Sequence, residues 1–453
     1  MADATHKDQT SYGQILALAW PAAIAAAVTP LLGAIDVWAL ANSERPLEIA
    51  AVALASVIFS LTYWSFGFIR MSVAGLTAQA VGAGDEVEAR ASLIRGGVIG
   101  AGLGLLLVVL QIPISRAAFH LLAIDSDASA QTFESARQYF AIRIWGAPFA
   151  IATYAAFGWF TARKRTDLLM IASIIITALN IILDTAFVIY WNWGASGVAA
   201  GTLIAEVAGF FISLAFIALI ISKTDQDAPS WRSIEILDRE KLRRTLSINL
   251  DIFIRTGLLA FSFSWFTQRS GAFGDVTLSA NQILLQLMLF TGLALDGTAI
   301  AAETLVGQAL GASKKSKEKA RQEFRVAVRR TFEIATVTAL LFVVLYLVAG
   351  GAIINVLSPE GEIREQTLKF LPWAIISPLV VMGCFQLDGI FIGATRARQM
   401  RDAMIVSTGI FILASLQLTH TFGNHGLWAA FSLYFILRGL TLAVALPEIH
   451  RNL

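Results

Sequence analysis

Charge is what this sequence has least of. Asp, Glu, Lys and Arg make up 15% of its 453 residues, against roughly 25% in ordinary soluble domains. A water-soluble protein of this length would lack the polar groups to cover its surface. Disorder is excluded for the opposite reason, because 57% of the residues are apolar. Cysteine is nearly absent: Cys384 stands alone, so no disulfide framework or multi-cysteine metal site can form within one chain. There is no Gly-x-Ser-x-Gly elbow, no His-Glu-x-x-His pair and no phosphate loop. Nothing therefore points to an enzyme, or to a pump that hydrolyses ATP within this chain. A net charge of +2 provides no field for nucleic acid.

Long apolar runs are abundant, as in 168–182 and 337–351. A helix needs about 20 such residues to cross the hydrocarbon core. These runs lack the alternation of a membrane β-barrel. The fold class expected is an all-α polytopic membrane protein, with twelve spans between about residues 14 and 447. The first, near 15–40, is too long for a signal-peptide core and reads as a retained span. Lys and Arg give the topology. Of 34, 25 fall in the two tails and one set of loops, six in the opposite loops, and three (Arg143, Arg255 and Arg438) in spans. Positive charge marks the cytoplasmic side, so both termini are expected in the cytoplasm. Residues 119–138 read as an amphipathic or irregular outer segment.

The largest change of composition lies at 223–245, which divides the chain into halves 1–222 and 246–453. The halves repeat weakly. Gln79-Ala80-Val81-Gly82-Ala83 recurs as Gln308-Ala309-Leu310-Gly311-Ala312, and Gly158-Trp159-Phe160 as Gly389-Ile390-Phe391. An even number of spans per half makes the repeats parallel, related by a pseudo-two-fold axis along the membrane normal, an arrangement typical of transporters.

Ionisable residues inside spans mark function by default. Asp36 follows Pro21 and Pro30, where a kinked helix beside a carboxylate would couple protonation to bending. Asn180 and Asp184 sit four apart on one helix face, a pairing that suits a proton, a small cation or an interhelical hydrogen bond. Thr202 adds a hydroxyl. Tyr139 and Arg143 share a face near the outer end of their span and fit interface anchoring. In the second half, Asp251, Arg255, Asp296 and Asp388 form a candidate polar network. Its simplest form neutralises Asp251 with Arg255, four residues on, with Asp296 or Asp388 as other partners for the arginine. Glu206 has no partner visible in the sequence. Glu303 and Glu333 fit the cytoplasmic interface, and the basic run 314–330 fits a topogenic loop or an anionic-lipid contact.

Together, several segments resemble the multidrug and toxic compound extrusion (MATE) family over essentially the whole chain. They are Pro30-Leu31-Leu32-Gly33-Ala34-Ile35-Asp36, Gln79-Ala80-Val81-Gly82-Ala83-Gly84-Asp85, Asn180-Ile181-Ile182-Leu183-Asp184, Asp251-Ile252-Phe253-Ile254-Arg255-Thr256, the run 303–312, the run 387–395 and Gly423-Asn424-His425-Gly426-Leu427-Trp428. The second-half segments resemble the DinF-like branch. The resemblance implies two six-helix lobes, a substrate cleft, and efflux of organic cations or amphipathic compounds driven by H⁺ or Na⁺. It also implies a cation site in the first lobe at Asp36, Asn180, Asp184 and Thr202, with Tyr139 at the same cavity. The spacing Asp251-x-x-x-Arg255 departs from the NorM-like pattern and argues against a NorM-type cation site in the second lobe. No cofactor beyond the coupling ion is expected, the partners are small organic substrates and membrane lipids, and a monomer suffices. Rival readings are a lipid-linked oligosaccharide flippase, which would want a cationic cavity, and a membrane enzyme or sensor without transport.

Overall fold

A computed structural model describes residues 10–42, 45, 48–123, 129–224, 238–358 and 361–451, with positions 29–32 and 34 described by backbone alone. Every regular element among them is helical. Apolar runs in lipid must satisfy their backbone internally, and the helix does so within one segment. In chain order these are α1 (Tyr12–Ala41), α2 (Ile49–Phe66), α3 (Phe68–Ala83), α4 (Glu86–Val109), α5 (Gln111–Ala123), α6 (Ala130–Arg143), α7 (Ala147–Ala162) and α8 (Thr166–Asp184). Then come α9 (Gly194–Thr224), α10 (Arg239–Gly271), α11 (Asp275–Ala312), α12 (Lys317–Leu357), α13 (Glu362–Gly393) and α14 (Ala397–Arg451). Short polar residues start several of them. Asp85 accepts from the Glu88 amide at 2.9 Å and Ser129 from the Thr132 amide at 3.2 Å, each satisfying an orphan first-turn donor.

Ten helical stretches among the described residues are long and apolar enough to cross a membrane. At 55 residues α14 would run about 80 Å, too far for one crossing. It breaks at Gly423, whose φ of 58° favours a residue without a Cβ. Dividing α14 there and adding the 30-residue α1 brings the traverses to twelve. The expected outer segment 119–138 is helical on both sides of 124–128, in α5 and α6; 124–128 lie outside the described residues. So do 225–237 of the expected linker 223–245. Leu341, Val344, Leu347 and Val348 stand exposed along α12, a face that makes sense only against hydrocarbon.

The chain forms two compact units that interleave in sequence. The first comprises the described residues of Ile24–Thr77 and Asp85–Leu242, the second those of Met1–Ala23, Ala78–Gly84 and Arg243–Leu453. In the first, α9 packs against α6, α7 and α8, and α4 against α7. In the second, α11, α12 and α13 pack on one another and α13 on α14, over an aromatic core that includes Phe266, Phe411, Trp428 and Phe431.

The weak sequence repeat becomes a repeated helix crossing. In the first unit Gly158 of α7 lies against the Arg70 carbonyl of α3; in the second, Gly389 of α13 lies against the Ala299 carbonyl of α11. Each glycine lets two backbones approach where a Cβ would collide. The other repeat pairs with its own copy inside the second unit: Gly82 sits on the Gln308 backbone, and Gly311 on the Gln79 backbone.

Gly389→Val should therefore cost about 1–3 kcal/mol, seen as a lower Tm in detergent. Gly97→Val, with no atom within 4 Å of the added Cβ, should leave Tm unchanged. Equal Tm values for the two variants would remove the crossing's assigned role.

Candidate cation-coupling site

All five residues expected at the site lie in the first unit, and all are buried: Asp36 on α1, Tyr139 on α6, Asn180 and Asp184 on α8, and Thr202 on α9. The i, i+4 spacing of Asn180 and Asp184 puts both on the face of α8 that meets α9. At Asp184 the α-helix gives way to a π-helical turn over Thr185–Tyr190, a wider turn of the kind often found at functional positions. Opposite it, Gly201 of α9 leaves open the space where the Asp184 carboxylate lies. An alanine there would displace the carboxylate.

The hydrogen bonds leave oxygen lone pairs in surplus. Asn180 Nδ2 donates to Thr202 Oγ1 at 3.1 Å, and the Thr202 hydroxyl donates onward to the Val198 carbonyl at 2.9 Å. Asn180 Oδ1, Asp36 Oδ1 and both Asp184 carboxyl oxygens are buried without a donor. The Asp36 and Asp184 carboxyls come within hydrogen-bonding reach of each other. Two ionised carboxylates have no hydrogen to share, so such a bond exists only when one of them is protonated. Acceptor oxygens gathered away from water call for a proton or a hard monovalent cation.

A second cluster adjoins the first. Arg143 Nη1 donates to Tyr139 Oη at 2.6 Å, and Nη2 lies 3.6 Å from Glu206 Oε1. The guanidinium stacks 4.6 Å over the Phe59 ring, and Tyr63 donates to Glu206 Oε2 at 3.3 Å. Interface anchoring is thus not what Tyr139 and Arg143 do, for Tyr139 is fully buried inside the unit. Glu206 does have partners. Only its place four residues after Thr202, on the same face of α9, hinted at this; Tyr63 and Phe59 carry no spacing signal at all.

In the second unit Arg255 takes Asp388, one of its two alternative partners, and not Asp251. Arg255 of α10 and Arg438 of α14 both donate to Asp388 Oδ2 of α13. Asp251 accepts from Arg401 at 2.5 Å instead of neutralising Arg255. Helix geometry allows the i, i+4 pair, but Arg255 Nη2 is committed to Asp388, leaving Asp251 to a separate arginine. Asp296 is half-buried on α11. Glu303, expected at the interface, is instead buried, while Glu333 lies near the surface with Tyr12 and Arg329.

Apolar traverses enclosing buried, paired charges define a multi-pass α-helical membrane protein. The MatE family model matches residues 21–186 and 253–416. DNA damage-inducible protein F of Escherichia coli strain K12 is 34% identical over 96% of this chain and 92% of its own length. The probable multidrug resistance protein NorM of Agrobacterium fabrum is 24% identical, over 85% of this chain and 82% of its own. A crystal structure of a MATE protein in the bent conformation superposes with a TM-score of 0.85 at 17% identity, covering 98% of both chains. The chain belongs to the MatE family, in its DinF-like branch, and is a transporter and not an enzyme.

Asp388→Ala would strand two buried guanidiniums and should cost about 3–5 kcal/mol. Asp251→Ala breaks a more exposed pair and should cost about 1 kcal/mol or less. Thermal unfolding of the two purified proteins compares them; an Asp388→Ala protein as stable as Asp251→Ala would contradict the assignment.

Proposed function

We propose that this protein is a secondary antiporter of the bacterial inner membrane, with both termini in the cytoplasm, exporting organic cations or amphipathic compounds in exchange for H⁺ or Na⁺. The observation that carries this reading is the buried approach of Asp36 and Asp184, with Asn180 and Thr202 beside them. Uptake of a proton or cation from outside lowers the negative charge of the pair and lets α1 and α8 rearrange, which expels substrate. Release to the cytoplasm restores the charge and the substrate affinity. The coupling ion drives this only because it binds the two conformations unequally. The name of the NorM relative supports drugs as the cargo class. The flippase alternative draws no support from the charges, since Arg143, Arg255 and Arg438 each lie against a carboxylate.

In proteoliposomes, imposed pH and Na⁺ gradients applied separately should each be scored for export of the fluorescent cation ethidium. At least one should drive export by wild type, and Asp36→Asn and Asp184→Asn should each lose it by more than about tenfold, the scale of one lost charge interaction. Full gradient-driven export by both variants would overturn the mechanism.

A further inference from the structure

The site holds more acid than base. Among the described residues Asp36, Asp184 and Glu206 face a single guanidinium, Arg143, and the other titratable groups packed around it are the phenols Tyr63, Tyr139 and Tyr154. These come from α1, α2, α6, α7, α8 and α9. Which acid Arg143 serves therefore decides how much charge the others can carry. Among the described residues Arg143 is hydrogen-bonded to Tyr139, stacked on Phe59 and paired with Glu206, and it makes no hydrogen bond to Asp36 or Asp184. It is still close enough to both to act on them through space.

Two features hold Glu206 in this place. Tyr63 donates to its second oxygen. The three-residue turn after α6, Ile144–Gly146, ends in a glycine whose missing Cβ leaves the room that the Glu206 carboxylate fills. Because Glu206 stands one helical turn beyond Thr202 on α9, movement of α9 would shift the coupling site and the clamp on Arg143 together.

We propose that Glu206 is a positioning residue of the coupling site: by holding Arg143 it keeps that guanidinium from neutralising the Asp36–Asp184 pair, and so sets the pH at which the pair takes up its proton. The inference rests on the antiport reading for its purpose but not for its test. Released from Glu206, Arg143 would favour the ionised pair, and protonation would need a lower pH. An opposite charge drawn to within a few ångströms has an effect of one unit or more.

The test is a pH titration of the full-length protein in detergent, followed by the infrared carbonyl band of protonated carboxyls. The component lost in Asp36→Asn identifies the pair. Glu206→Gln should move its midpoint down by about one pH unit, and Gly146→Ala, which crowds Glu206 from its seat, should move it the same way. Glu206→Asp should restore most of the wild-type midpoint. Adding Arg143→Gln to Glu206→Gln should bring the midpoint back up, because the competing cation is gone. The pH profile of ethidium export should follow the same order. A purely structural Glu206 would alter Tm or yield and leave the midpoint in place. An unchanged midpoint in both Glu206→Gln and Gly146→Ala overturns the proposal. If wild type titrates but exports nothing under any gradient, the antiport reading falls, and the infrared shift still decides the role of Glu206.

Discussion

Two carboxyl groups in hydrogen-bonding reach of each other, away from water, are the constraint around which the first unit is arranged. Asp36 and Asp184 cannot both stay ionised there without a cation. Several groups near them bring oxygen or occupy positive charge elsewhere. Asn180 turns its amide nitrogen to Thr202, which leaves its carbonyl oxygen over. Thr202 spends its own hydrogen on a backbone carbonyl. Gly201 clears space for a carboxylate, and Arg143 is occupied by Glu206 and Tyr139.

The second unit treats buried charge in another way. There two arginines close on one aspartate, joining α10, α13 and α14. Breaking such a cluster is costly because the remaining charge is stranded in a medium that cannot solvate it. At the candidate site the first unit thus keeps acid in excess, whereas the Arg255–Asp388–Arg438 cluster of the second holds base in excess. A chain with so few charges does not distribute them evenly between its repeats. The repeats share their helix crossings at Gly158 and Gly389 but not their chemistry.

Much of this was legible in the sequence because it depends on short-range spacing. The apolar runs gave the helices and the traverses. The four-residue step from Asn180 to Asp184 set both on one face. What the sequence conceals is pairing across distance. Arg255 and Asp388 are 133 residues apart, so spacing favours the nearer Asp251 and offers Asp388 only as one alternative. Glu206 finds Tyr63 across 143 residues, and nothing in the local pattern announces the π turn after Asp184. In a membrane, where a polar side chain has few alternatives, helix packing and not sequence spacing decides which charges meet.

The proposed antiport requires substrate and coupling ion to compete for opposite states of one carboxyl pair. Linkage makes this measurable without a membrane gradient. The affinity of the purified protein for ethidium, measured across pH, should weaken about tenfold for each unit of acidification through the titration of the pair if one proton is exchanged. In Asp36→Asn that slope should vanish. An affinity that ignores both pH and Na⁺ in the wild-type protein would contradict the account.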